Sequence, residues 1–127
     1  MGQEKKDIEH REDIALLVNS FYDKVKTDTT IGYFFTEVTE VDWPVHLPKM
    51  YDFWESIILG TGDFKGNPMA KHMQLNLKSK LKPAHFDQWL FLWEKTVDEL
   101  FFGENADSAK ARARNISGVI SYKISRP

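Results

Sequence analysis

The sequence predicts an all-α protein, and three observations carry that prediction. Apolar residues recur at spacings of three and four along most of the 127 positions, the pattern of amphipathic helices. No stretch alternates apolar and polar residues as a half-buried strand would. Glycine, proline and short polar clusters fall between the periodic stretches and divide them. There is no internal repeat, low-complexity tract or composition shift, so residues 1–127 are expected to form one domain, with 1–10 a polar N-terminal extension.

The first helix is expected over 12–26, where Ile14, Leu17, Val18, Phe21 and Val25 fall on one face. It breaks at Thr27-Asp-Thr-Thr30, and Ile31-Gly-Tyr-Phe-Phe35 reads as an apolar corner. A second helix begins with Asp42 as N-cap and Pro44 in its first turn, runs to Leu59, and places Gly60 at C′. Its apolar face is Trp43, Leu47, Met50, Trp54, Ile57 and Ile58. Pro48 removes a backbone donor and crowds the preceding turn, so an irregular first turn is expected, with regular helix only beyond it. A short helix over 68–75 has Asn67 as N-cap and Pro68 at its first position. The next spans about 83–102, with Phe86, Trp89, Leu90, Trp93, Val97, Leu100 and Phe101 on one stripe and Gly103 closing it. The last runs over about 106–124 along Ala109, Ala113, Ile116, Ile120 and Ile124.

Composition excludes several chemistries. The chain has no cysteine, which rules out disulfides, thiolate metal sites, cysteine nucleophiles and covalent Cys-x-x-Cys-His haem attachment. Its 17 basic and 19 acidic residues are scattered, with no basic block suited to phosphate backbones, so no nucleic-acid partner is expected. The polar start lacks the apolar core of a signal peptide, Lys6 breaks the myristoylation pattern, and no apolar run is long enough to span a bilayer. A soluble cytoplasmic protein with no membrane partner is the expectation.

Aromatic residues make up 13% of the chain, and they cluster around 33–54 and 86–102. A small helical core uses large rings, which accounts for their number but not their clustering. Between the clusters lies Gly60-Thr-Gly-Asp-Phe-Lys-Gly-Asn67, then Pro68-Met-Ala-Lys-His72. A lone imidazole between two aromatic walls is what holding a large flat cofactor by one axial bond requires, and this points to haem. His72 can offer a neutral nitrogen to iron as the metal ligand, its other N–H directed at an acceptor such as the Pro68 carbonyl one turn upstream.

Three further residues can donate hydrogen bonds. Tyr22 lies beside the first helix's apolar stripe, where its O–H can stabilise negative charge on a bound diatomic ligand. His46 can face the same cofactor from the second helix, and Trp89 offers an indole N–H from the helix over 83–102. Read singly, each is better explained as structural; the inference rests on the set. His10 and His85 read as surface groups. Gly60-Thr-Gly62 follows a helix rather than a strand and is no dinucleotide loop. The acidic residues lack the Glu-x-x-His spacing of a di-iron bundle.

Taken together, Phe21-Tyr22-x-Lys-Val25, Ile31-Gly-x-Phe-Phe35, His46 followed by Phe53-Trp54, Gly62-x-Phe-x-Gly-x-Pro68-x-x-Lys-His72 and Phe86-x-x-Trp89 resemble the truncated, two-over-two haemoglobins of bacteria, group III. The likeness covers roughly residues 12–122 in the right order. It implies a truncated-globin sandwich around haem b, with His72 as proximal ligand. It also implies Tyr22, His46 and Trp89 as distal groups, Phe35 packed on the haem, and Met50, Phe53 and Trp54 lining the distal pocket. Pro44 and Pro48 depart from an easy match, since both favour a non-helical turn around His46.

The resemblance implies binding of dioxygen and other diatomic ligands. Several distal donors suit oxygen, nitric oxide or peroxide chemistry better than bulk transport, so peroxidase-like or nitric oxide dioxygenase-like activity is an expectation. Turnover would need an unknown reductase as partner. Two other readings are a cofactor-free helical interaction module and a haem-based gas sensor with a separate output partner.

Overall fold

A computed structural model describes residues 5–38, 41–61, 76 and 80–125. Among these the chain forms α1 (Arg11–Thr27), a π-helical turn (Phe34–Val38), α2 (Trp43–Ile58), α3 (Pro83–Leu100) and α4 (Glu104–Ser125). The short helix expected over 68–75, with His72, lies outside the described residues.

Periodicity accounts for how these helices bury themselves. α1 turns Ile14, Leu17, Val18, Phe21, Tyr22 and Val25 inward, and α3 turns in Leu92, Trp93, Thr96 and Val97. α4 contributes small residues, Ala106, Ala109 and Ala113, all buried, which lets its backbone approach α3 closely. α1 packs on α2 and on α3, while α4 packs on α3 and on α2. The result is one pair, α1 and α2, crossing the other, α3 and α4: a two-over-two sandwich.

Ion pairs stitch its edges, with Arg11 to Asp52 and Glu55 between α1 and α2, Lys24 to Glu99 between α1 and α3, and a two-armed Arg114–Glu94 contact between α3 and α4. Exposed pairs of this kind each contribute about 0–1 kcal/mol, so they trim the geometry and the core sets it.

The corner after α1 positions the aromatic residues that follow. The Asp28 carboxylate accepts the backbone N–H of Thr30 and Ile31 and the side-chain amide of Gln88 from α3. At Gly32 a Cβ would lie 2.5 Å from the Asp28 carbonyl oxygen and 2.8 Å from that of Val25, so only glycine allows the chain to fold back this tightly. Phe34 is thereby driven into the core.

α2 differs from expectation. Asp42 is the N-cap position and Gly60 follows the helix with φ +70°, but the helix is continuous from Trp43 with Pro48 inside it. Pro44 sits where a backbone N–H has no intrahelical acceptor. Pro48 forfeits a single ladder bond, while Val45 and His46 both donate to the Asp42 carbonyl at 3.0 and 2.7 Å. The first turn therefore stays helical, and His46 with it.

The polar N-terminal segment is also more than an extension. Ile8 is fully buried, the Lys6 carbonyl accepts the Phe102 N–H at 3.0 Å, and Asp7 accepts the N–H groups of Asn105 and Ala106 at 2.9 and 2.8 Å.

Candidate functional site

The face that α1, the corner and α2 present to one another brings four predicted or neighbouring residues together. Tyr22 is the last but one inward-facing residue of α1 and is 8% exposed. His46 is the fourth residue of α2. The Tyr22 hydroxyl and His46 Nε2 lie 3.2 Å apart, a hydrogen bond whose direction depends on the imidazole tautomer. Around that polar contact the walls are aromatic. Phe35 meets Tyr22 edge-on with ring centroids 5.7 Å apart, and Trp43 meets it at 5.2 Å. Trp43 also lies 5.7 Å from the His46 ring and stacks on Phe35 at 6.1 Å.

Trp43 is the residue that sequence reasoning missed at this site. It reads as one more member of the α2 apolar stripe, yet it contacts all three of the others. The signal was helical phase, since it precedes His46 by three positions and so shares its face. On its outer side Lys26 places its ammonium 4.1 Å from the indole centroid, a cation–π contact.

Burial gives Tyr22 its electrostatic character. Removing the phenol from water penalises the ionised form, so its pKa is raised well above the ordinary value of 10.0. The hydroxyl is therefore a neutral donor and acceptor at any physiological pH. His85, expected at the surface, is instead partly buried. Its ring lies 4.8 Å from Phe34 and its Nδ1 accepts the Lys82 N–H at 2.9 Å. Burial, followed by the nearby Lys82 charge, lowers its pKa.

The remaining predicted residues form a second group. Met50 and Phe53 lie further along α2, partly buried against the core. Trp54 is turned into the core, stacked on Trp93 of α3 with ring centroids 4.1 Å apart and with Phe53 edge-on to it at 5.1 Å. Trp89 lies parallel to Trp93 at 6.3 Å and touches Phe21 edge-on at 5.8 Å. Phe21, 5.1 Å from the Tyr22 ring, thus connects the two groups. The structure gathers Tyr22, Phe35 and His46 directly, joins Trp89 to them through Phe21, and places Trp54 in the core beside Trp93. His72 lies outside the described residues. Among the described residues no cluster of three or more His, Asp or Glu side chains forms a metal site, and no helix is long and apolar enough to cross a membrane.

No family model matches the chain. A curated relative, the group 3 truncated hemoglobin ctb of Campylobacter jejuni subsp. jejuni, is 31% identical over 111 residues, covering 85% of each chain. The crystal structure of the group III truncated hemoglobin from Campylobacter jejuni superposes with a TM-score of 0.84 at 28% identity, over 97% of both chains. Helix order, the crossing of the two pairs and this sequence similarity agree: the chain belongs to the group III truncated haemoglobin family.

Proposed function

We propose that this protein binds haem b and uses it to capture dioxygen and related diatomic ligands for oxygen, nitric oxide or peroxide chemistry rather than for bulk transport. The observation that carries this is the Tyr22–His46 contact at 3.2 Å, two polar groups meeting inside aromatic walls on a fold whose relatives are haemoglobins. The residues fit the cofactor. Phe35, Met50 and Phe53 are apolar surfaces of the kind a flat macrocycle packs against, Trp54 backs them from the core, and Tyr22, His46 and Trp89 supply donors. His72 would hold the iron through a neutral imidazole nitrogen.

A bound haem supplies the iron bond to the diatomic ligand; the surrounding chain decides how firmly the ligand stays. Tyr22 has one O–H to give. With the proton on His46 Nε2, the imidazole donates to the phenol oxygen and leaves the Tyr22 O–H free for the ligand. With the proton on Nδ1, Tyr22 donates to His46 instead and the ligand loses a donor. The tautomer and position of His46 thus switch the strength of the pocket. Trp89 adds an indole N–H from α3. Aromatic walls exclude water, which strengthens each of these bonds. Catalytic turnover draws electrons from a separate reductase.

The test is the visible spectrum of the haem-supplemented protein beside its His72→Ala variant. An intense Soret band that is lost or strongly altered in the variant is expected. A folded protein that takes up no haem would overturn the reading.

A further inference from the structure

Three indoles stack through the middle of the molecule. Trp54 of α2 overlaps Trp93 of α3 with planes 22° from parallel, and Trp89, one turn back along α3, is parallel to Trp93 within 2°. Trp93 is fully buried and Trp54 is 5% exposed. The Trp93 Nε1–H donates to the Ala109 carbonyl of α4 at 3.1 Å. Phe21 lies between this stack and the pocket, its ring 5.1 Å from that of Trp93 and 5.1 Å from that of Tyr22. We propose that the Trp54–Trp93–Trp89 stack is a one-electron donor, where the chain takes up the oxidising equivalent that a peroxide generates in the neighbouring Tyr22–His46 pocket. The source of that oxidant rests on the haem reading above; the donor property of the stack does not.

The chain has no cysteine, so its oxidisable side chains are indoles, phenols and thioethers. A phenol gives up an electron readily only together with its proton, so its oxidation depends on a base within hydrogen-bond reach. An indole can lose an electron and keep its N–H. Placing the resulting charge in an apolar interior is costly for a single ring, and overlapping rings reduce the cost by sharing it. The Ala109 carbonyl, its negative end toward Nε1, stabilises the charge further. Tyr22 is the competing site, because His46 stands ready at 3.2 Å to accept its proton.

Hydrogen peroxide takes up two electrons and two protons to give two waters. One electron leaves the stack, which becomes a shared indole radical cation; a bound haem would supply the other, and the protons come from solvent. Two equivalents of a small one-electron reductant of the ascorbate class then return both donors to rest.

Two measurements test this. In the first, azidyl radical oxidises the full-length protein without haem, taking one electron to become azide. A near-infrared charge-resonance band, which a lone indole radical lacks, is expected in the wild type. In whichever variant keeps its helical circular dichroism, the band is expected to be absent from Trp93→Phe, which separates the remaining rings, and weakened or shifted in Trp54→Phe, which leaves the Trp93–Trp89 pair. Absence of the band in the wild type overturns the proposal, whether or not the protein binds haem. In the second, the haem-supplemented protein is mixed with hydrogen peroxide and frozen for electron paramagnetic resonance. A radical signal that narrows when tryptophan rings are deuterated, and is lost in Trp93→Phe, is expected. A signal that responds only to deuterated tyrosine overturns the link between pocket and stack.

Discussion

At the scale of single residues, the proposed function makes the Tyr22 hydroxyl the group on which ligand retention would turn. It is buried, neutral and 3.2 Å from its imidazole partner, so it is already oriented before any ligand arrives. A hydrogen bond of this kind contributes about 1 kcal/mol net, and more when it meets developing charge. Tyr22→Phe is therefore expected to speed dioxygen release roughly tenfold or more, since ~1.4 kcal/mol is a factor of ten. Stopped-flow dissociation in the ferrous protein checks this, and an unchanged rate in both Tyr22→Phe and Trp89→Leu would remove the donor model. Tyr22 and His46 stood out in the sequence as polar groups beside apolar stripes, and Phe35 came only through the family resemblance. Trp43 did not stand out, since an aromatic residue on an apolar stripe looks like core whether or not a polar pair lies beneath it. Trp54, a motif residue expected at the pocket, packs on Trp93, and stacking between separate helices leaves no mark in either helix alone.

At the scale of elements, the helices were legible because their caps, breakers and periods agree. Asp42, Gly60 and Pro83 mark ends that the structure places within a residue or two. What periodicity could not read was how an end is held. Lys82 is the N-cap of α3, its N–H accepted by His85 Nδ1 at 2.9 Å, and a histidine near charged residues reads as solvated. This cap carries a pH dependence. Burial and then the Lys82 charge lower the folded pKa of His85 from its ordinary 6.5, so the fold favours the neutral ring that can accept the bond. Its contribution is complete above pH 6.5 and declines as pH falls from there toward the folded value, because the unfolded chain protonates first. His85→Gln keeps an acceptor but cannot titrate. Urea unfolding at pH 7.5 and pH 5 should show the wild type losing more stability than His85→Gln; equal losses would show that the ring does not titrate against the fold.

The whole molecule is closed by contacts that no local pattern could reveal. α4 begins after Gly103, which has φ +147° and no side chain to cap the helix. Asp7, from the other end of the chain, supplies the missing carboxylate to the N–H groups of Asn105 and Ala106. Serine in place of Gly103 would not substitute for it, because a Cβ there would lie 2.4 Å from the Asp7 Cγ, in a backbone conformation that side chains avoid. The sequence shows a polar start and a glycine almost a hundred positions later, and nothing in either suggests that they meet. Next to Asp7, Ile8 is fully buried, and the Asn105 side chain donates to its carbonyl at 2.7 Å. The segment is thus a strap that fastens α4 against the start of α1. Ile8→Ala is expected to cost about 2–5 kcal/mol, as for other buried isoleucines, and Asp7→Ala roughly 1–2 kcal/mol as a lost helix cap. Because the two residues share one segment, the double variant should fall short of the sum: once the strap has lifted, its second contact is already gone. Denaturant titration of the three variants measures this directly, and full additivity would mean that the two contacts hold the strap independently.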